Sequence, residues 1–184
     1  ATPDILVADC VHNREEIVKK VKEMAEAGTK VMAFPELCIT GYTCSDLFWQ
    51  ELLLVRAKEE LHKLEEELEE VEGLIIVGLP LEFNQKLYNT AAVISGGKVL
   101  GFVPKHHLPN YAEFYEARHF TAGCAFEGMV NWYGREVPFG QNLLFVCEEL
   151  PQLVTAVEVC EDLWAPNPPS VGLAMAGADL IVNL

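Results

Sequence analysis

Apolar and polar positions along the chain follow two periods. Ile5 to Ala8 form a short apolar run, and Ile17, Val18, Val21, Met24 and Ala25 then recur at helical spacing. Asn13 and Glu16 have the spacing of a capping box at the start of that helix, and Gly28 is placed to end it. Lys30 to Phe34 is a buried-strand pattern stopped by Pro35, so the first third predicts β-α-β, a unit that favours a parallel strand pair. Glu36 thereby follows the C-terminal end of a strand. A second helix is predicted from Ser45 to Glu70, because Leu47, Leu54, Leu61, Leu64 and Leu68 recur along one face.

Beyond that helix the period shortens. Leu74 to Leu79, Asn89 to Ile94 and Lys98 to Val103 predict three strands, with Ser95-Gly96-Gly97 as a tight turn joining the last two. Pro104 to Gly140 reads as irregular, aromatic and His-bearing, too long for a plain connector and therefore a functional loop region. Leu143 to Cys147 and Leu153 to Val159 predict two more strands. Cys160-Glu161-Asp162-Leu163-Trp164 breaks the pattern, and a short helix near 171–176 precedes a strand at Leu180 to Asn183. Repeated strands with helices between them predict an α/β fold. A chain ending at that last strand leaves little to cover the sheet, so one domain over 1–184, incomplete at its C-terminus, is expected.

Composition narrows the partners. A 184-residue chain with 51% hydrophobic residues is expected to form one globular domain. Its net charge of -15 would be repelled by a phosphate backbone or an anionic bilayer, so neither nucleic acid nor membrane is an expected partner. The acidic run Glu59, Glu60, Glu65, Glu66, Glu67, Glu69, Glu70 and Glu72 is expected to form mostly a solvated face. Six cysteines without a C-x-x-C pair argue against a metal framework, and Cys10 and Cys147, in strand-like apolar stretches, favour reduced thiols and hence the cytoplasm. There is no run long enough to span a bilayer and no signal-peptide pattern at the N-terminus.

Three chemically capable residues stand at predicted strand ends: Glu36, Lys105 and Cys160. Ligands gather at the carboxyl ends of strands in open α/β sheets. A thiol becomes a nucleophile when a base and a cation favour its thiolate; Glu36 can take the Cys160 proton, and Lys105 can stabilise the oxyanion formed when a carbonyl is attacked. Singly, each has a plainer reading, the Glu and Lys as surface groups and the Cys as core.

Together they resemble the nitrilase superfamily, whose catalytic set is Glu, Lys and Cys in that order. Phe34-Pro35-Glu36-Leu37 through Tyr42, with Asp46-Leu47-Phe48, is similar to the glutaminase part of the bacterial glutamine-dependent NAD synthetases. So is Leu108 to Phe120, against a Tyr-x-x-Phe-x-Glu-x-Arg-x-Phe run, and so is Cys160 to Trp164 with Pro168-Pro169-Ser170. The resemblance implies an α-β-β-α sandwich, assembled as a homo-oligomer. It implies Glu36 as general base, Lys105 as oxyanion partner, Cys160 as nucleophile and Glu113 as a second glutamate orienting the lysine and the amide. Tyr42, Tyr111 and Trp164 would line a glutamine pocket, though packing roles are equally open to them. No metal or organic cofactor is implied in this chain; ATP and Mg²⁺ belong to a C-terminal synthetase domain that would receive the ammonia. Ser95-Gly96-Gly97 lacks the Asp and Ser of a synthetase phosphate loop and reads as a hairpin turn. Rival readings are a stand-alone amidase, such as an ω-amidase or carbamoylase, and a non-catalytic interaction domain.

Overall fold

A computed structural model describes residues 1–126 and 128–184. It contains two open sheets stacked face to face. The six-stranded sheet has the order β1-β2-β3-β4-β6-β5: β1 is Val31–Ala33, β2 Leu74–Phe83, β3 Lys86–Ser95, β4 Lys98–Pro104, β5 Gly128–Trp132 and β6 Arg135–Phe139. The three-stranded sheet has the order β7-β8-β9, from Phe145–Val146, Val154–Glu158 and Leu180–Asn183. Between them lies a layer of β-branched and small residues, Ile76, Ala91, Val93 and Val103 from one sheet against Val157 and Val159 from the other. Helices α1 (Cys10–Glu26) and α2 (Glu51–Glu67) cover the outer face of the larger sheet, and α3 (Pro169–Met175) packs on β8 and β9. The layering is α-β-β-α, as the resemblance implied.

The β1–β2 pair is parallel, as β-α-β patterning predicted, and Ser95 to Lys98 closes a hairpin with both glycines at positive φ. Four local expectations are corrected. Ile5 to Ala8 is not a strand, with Leu6 and Val7 exposed. The cap of α1 is Asp9, whose carboxylate accepts the His12 N–H; Asn13 sits inside the helix, buried, and bonds Leu6 and Ile39 backbone instead. Ser45 to Glu70 is not one helix: Tyr42–Trp49 is a kinked 3-10 segment with Ser45 at φ 51°, and α2 starts afresh at Glu51. The 104–140 segment contains the β5–β6 hairpin, paired from Gly128↔Phe139 to Trp132↔Arg135.

The acidic run is also less solvated than its register predicted. Glu60 is fully buried between Arg14, at 2.7 Å, and Lys63, at 2.6 Å. Burial works to raise its carboxyl, but the bonds from Lys63 and Arg14 outweigh that and hold it below the usual range. Glu65, also buried, accepts from the Val99 N–H, the Trp132 indole and Arg135, fastening α2 to β4 and to the β5–β6 hairpin. Trp132 and Arg135 lie about 70 residues from Glu65, so no local pattern could announce the pairing.

Gly78 shows how the sheet seats the loop after β1. A Cβ there would stand 2.7 Å from the Pro35 carbonyl oxygen and collide with the Leu37 N–H, so only glycine lets the Pro35–Leu37 turn rest on β2. Gly78→Ala is expected to destabilise the fold by about 1–3 kcal/mol, the usual range for overpacking. Urea denaturation reads this directly, and an unchanged midpoint would contradict the tight seating.

Candidate active site

The ends of β1, β4 and β8 converge on one buried cation. Lys105 follows β4, where its N–H is held by the Asn89 carbonyl at 2.8 Å, and its side chain is fully buried. Nζ lies 2.7 Å from Glu36 Oε1 and 2.6 Å from Glu116 Oε1. Asn89, on β3 and fully buried, donates through Nδ2 to Glu36 Oε1 at 2.6 Å and to Glu116 Oε2 at 3.3 Å. The Tyr42 hydroxyl donates to Glu116 Oε1 at 2.8 Å. A buried charge is tolerable only when paired and hydrogen-bonded, and here one ammonium serves two carboxylates that also accept from the Asn89 amide and, at Glu116, from the Tyr42 phenol.

The electrostatics follow from that crowding. Burial alone would depress the Lys105 ammonium, but the charges of Glu36 and Glu116 outweigh it, and the lysine stays protonated well above neutral pH. Glu116 is pushed above the ordinary carboxylate range by burial and by the charge of Glu36, with Lys105 pulling it back. Burial likewise raises the Tyr42 phenol, so it remains a donor.

Cys160 begins the turn after β8 with φ 47°, a left-handed conformation that non-glycine residues seldom adopt. Its N–H bonds the Leu184 carbonyl at 2.8 Å, and Asn183 Nδ2 donates to its carbonyl at 3.2 Å, so the end of β9 and the residue after it brace Cys160. Burial pushes the thiol up to about 11; the Glu36 carboxylate raises it further by charge and by hydrogen bonding, while the Lys105 charge lowers it. The sulfur is therefore held as a thiol at neutral pH. Because only the thiolate alkylates, labelling of Cys160 by iodoacetamide should keep accelerating up to about pH 10. Peptide mapping by mass spectrometry reads it; a plateau below about pH 8 would mean a preformed thiolate and contradict this environment.

The predicted site residues separate in space. Glu36, Lys105 and Cys160 come together. Glu113 does not join them: the carboxylate on Lys105 is that of Glu116, three residues on, while Glu113 is exposed on the rim of a cleft of about 380 Å³. That cleft is lined by Tyr42, Glu116, Arg118 and His119 among others, and Cys160 is not among its lining residues. Glu116 occupies the Glu position of the Tyr-x-x-Phe-x-Glu run counted from Tyr111, so the motif itself carried the signal. Tyr42 reaches the cluster through Glu116. Tyr111 is half exposed, with its hydroxyl 2.9 Å from the Glu161 carboxylate next to Cys160, and Phe114 stands edge-on to both tyrosines. Trp164 is 75% exposed at the far end of the turn. Asn89 had no sequence signal, since an Asn within an apolar strand is uninformative until its neighbours are known.

Among the described residues, no group of three or more His, Cys, Asp or Glu side chains is arranged to hold a metal ion, and no helix is long and apolar enough to cross a membrane.

Comparison with known proteins bears on the family and the fold. Residues 3–184 match the model of the carbon-nitrogen hydrolase family. The chain is 38% identical over 189 residues to the glutamine-dependent NAD(+) synthetase of Mycobacterium tuberculosis, and 35% identical over 179 residues to that of Aquifex aeolicus. The alignments cover 98% and 97% of this chain but only 28% of either relative. Among solved structures, a glutamine-dependent NAD(+) synthetase from Cytophaga hutchinsonii superposes with a TM-score of 0.85 at 27% identity, covering 99% of this chain and 29% of that one. An amidase from Nesterenkonia superposes with a TM-score of 0.70 at 21% identity, covering 99% of this chain and 62% of that one, which shows shared fold alone. The match over 3–184, the two stacked sheets and the convergent strand ends agree: this chain belongs to the carbon-nitrogen hydrolase family.

Proposed function

We propose that the chain is a glutaminase unit that hydrolyses the side-chain amide of glutamine and supplies ammonia for NAD synthesis. The observation that carries this reading is the buried Lys105 clamped between Glu36 and Glu116, with the Cys160 thiol under the influence of Glu36. The names of the relatives at 35–38% identity supply the substrate.

Glu36 takes the proton from the Cys160 sulfur as it bonds to the carboxamide carbon, and negative charge develops on the amide oxygen. The Lys105 ammonium stabilises that oxyanion, already oriented, so no reorganisation is needed as the charge forms. The C–N bond then breaks, Glu36 returns the proton to the leaving nitrogen, and ammonia departs from a glutamyl thioester. Water, deprotonated by Glu36, attacks the thioester carbon; the C–S bond breaks, glutamate leaves and the sulfur recovers its proton. Tyr42 and Asn89 keep the two carboxylates in place. Tyr111, beside Glu161, and Trp164 are proposed contacts for the substrate. In the whole protein a C-terminal domain using ATP and Mg²⁺ would consume the ammonia, and the chain would assemble with copies of itself.

The direct test is ammonia release from glutamine by the full-length gene product, with labelling by 6-diazo-5-oxo-norleucine. Modification of Cys160 alone supports the reading. Glutamine turnover with Cys160 unlabelled would overturn the nucleophile assignment, and no turnover of glutamine beside rapid turnover of another amide would favour a stand-alone amidase. The two glutamates give a sharper comparison. Glu116→Gln leaves Lys105 one charge short and should lower kcat about 10²-fold, whereas Glu113→Gln, on the cleft rim, should stay within about threefold of wild type. The reverse ranking would restore Glu113 to the role it was expected to fill.

A further inference from the structure

Asp162 is a buried carboxylate that the reaction above does not use. It is 1% exposed and lies two residues after the nucleophile. Its Oδ1 accepts the His107 N–H at 2.7 Å and the His106 N–H at 3.1 Å. Its Oδ2 accepts the Val159 N–H at 3.1 Å, with the His106 N–H at 3.4 Å shared between both oxygens. His106 and His107 directly follow Lys105 at the end of β4, and Val159 directly precedes Cys160 at the end of β8. These strands belong to different sheets, and the residues bridged are more than 50 apart in sequence.

We propose that Asp162 is a positioning residue that fixes Lys105 against Cys160 by holding the backbone on both sides at once. The inference rests on the reading of Lys105 and Cys160 as catalytic. Hydrogen bonds from backbone N–H groups to a carboxylate are roughly twice as strong as neutral ones, and both oxygens are engaged, so the two strand ends cannot drift independently. Sheet packing alone would not supply this: the layer between the sheets is apolar and without direction, whereas oxyanion stabilisation demands a set distance from Nζ to the forming charge. His106 Nδ1, 2.6 Å from the Gly123 carbonyl, anchors the same loop from its other side. An amide cannot replace the acid fully. In Asp162→Asn one oxygen can still accept from the His106–His107 pair or from Val159, but the NH2 group must then face the remaining donor.

The full-length gene product and its Asp162→Asn and Asp162→Ala variants are compared at a temperature where circular dichroism shows each folded. Misplacing a reacting group by about 1 Å costs on the order of 10²-fold in rate, so Asp162→Ala should lose about 10²-fold in kcat for glutamine hydrolysis. Asp162→Asn should retain more, near a 10-fold loss, with KM within about threefold in both and labelling by 6-diazo-5-oxo-norleucine slowed in parallel with kcat. If the Ala variant does not fold, the nearly isosteric Asn variant decides. A purely structural role would lower the melting temperature while kcat per folded molecule stays at the wild-type value, and that result overturns the proposal, as does a change confined to KM. Wild-type protein that neither hydrolyses glutamine nor is labelled at Cys160 would overturn the glutaminase reading itself, a failure distinct from active variants in an active background.

Discussion

Cys160→Ala is expected to abolish glutamine-dependent activity, by more than about 10³-fold, while the protein stays folded. Nothing else in the cluster can take over the bond to carbon: Glu36 and Glu116 are engaged with Lys105. Cys38, the next cysteine after Glu36, is fully buried, and its thiol is pushed up to about 12 by burial, which leaves it inert. Removing the sulfur also removes a partly exposed group at positive φ, a conformation alanine tolerates no worse than cysteine, so little stability is at stake. In the full-length gene product, NAD formation should continue when ammonia is supplied directly. Measured side by side, loss with glutamine and retention with ammonia supports a nucleophile dedicated to ammonia supply. Loss of both would mean the substitution acts on the whole assembly, and retention of both would remove Cys160 from the mechanism.

Lys105→Met should be the most disruptive single change at the site. It leaves Glu36 and Glu116, held within reach of the same lost ammonium, facing each other and Asn89 in a nearly dry environment. Breaking a buried pair from one side costs about 3–5 kcal/mol, because the partner charges remain buried without compensation. Activity should fall at least about 10²–10³-fold as well, the usual loss when one oxyanion donor is removed. The pH dependence separates the two effects. Burial and the Glu36 charge already raise the Glu116 carboxyl, and without Lys105 the shared site should hold a proton more tightly still. A group whose folded pKa lies above its unfolded value contributes stability that is present below the unfolded pKa and lost as pH rises through the folded one. The deficit of Lys105→Met against wild type should therefore shrink as pH falls from about 8 to about 5, while activity stays lost at every pH. Urea denaturation across that range checks it; a deficit independent of pH would mean the carboxylates are relieved by solvent.

Much of this was legible in sequence because it depends on short-range order. The strands β2, β3, β4, β8 and β9 and their turns are set by apolar runs and by Gly96-Gly97. The helices mark themselves by period, although the kink at Ser45 and the cap at Asp9 did not, since both depend on where the chain must go next. Glu36, Lys105 and Cys160 could be picked out because each closes a strand and because the segments around them resemble a family. Acidity and nearness to Lys105 do not separate Glu113 from Glu116, as both are glutamates on one loop; the spacing from Tyr111 was the one sequence signal that favoured Glu116. Only the path of that loop brings the second onto Lys105 and leaves the first at a cleft.

The sequence by itself therefore determined the α/β class, the strand ends that carry Glu36, Lys105 and Cys160 and, through the resemblance, the layering and the family, since periodicity and motif are properties of neighbouring residues. Tertiary structure decided everything that joins distant ones. It set Glu36 and Glu116, joined by Asn89, around the buried Lys105 ammonium, turned Glu60 and Glu65 of an acidic run inward onto cations, and placed Asp162 between two sheets. The physical reason is the same in each case. A buried ionic group must be matched by partners within hydrogen-bonding distance, and those partners come from wherever the fold brings the chain back.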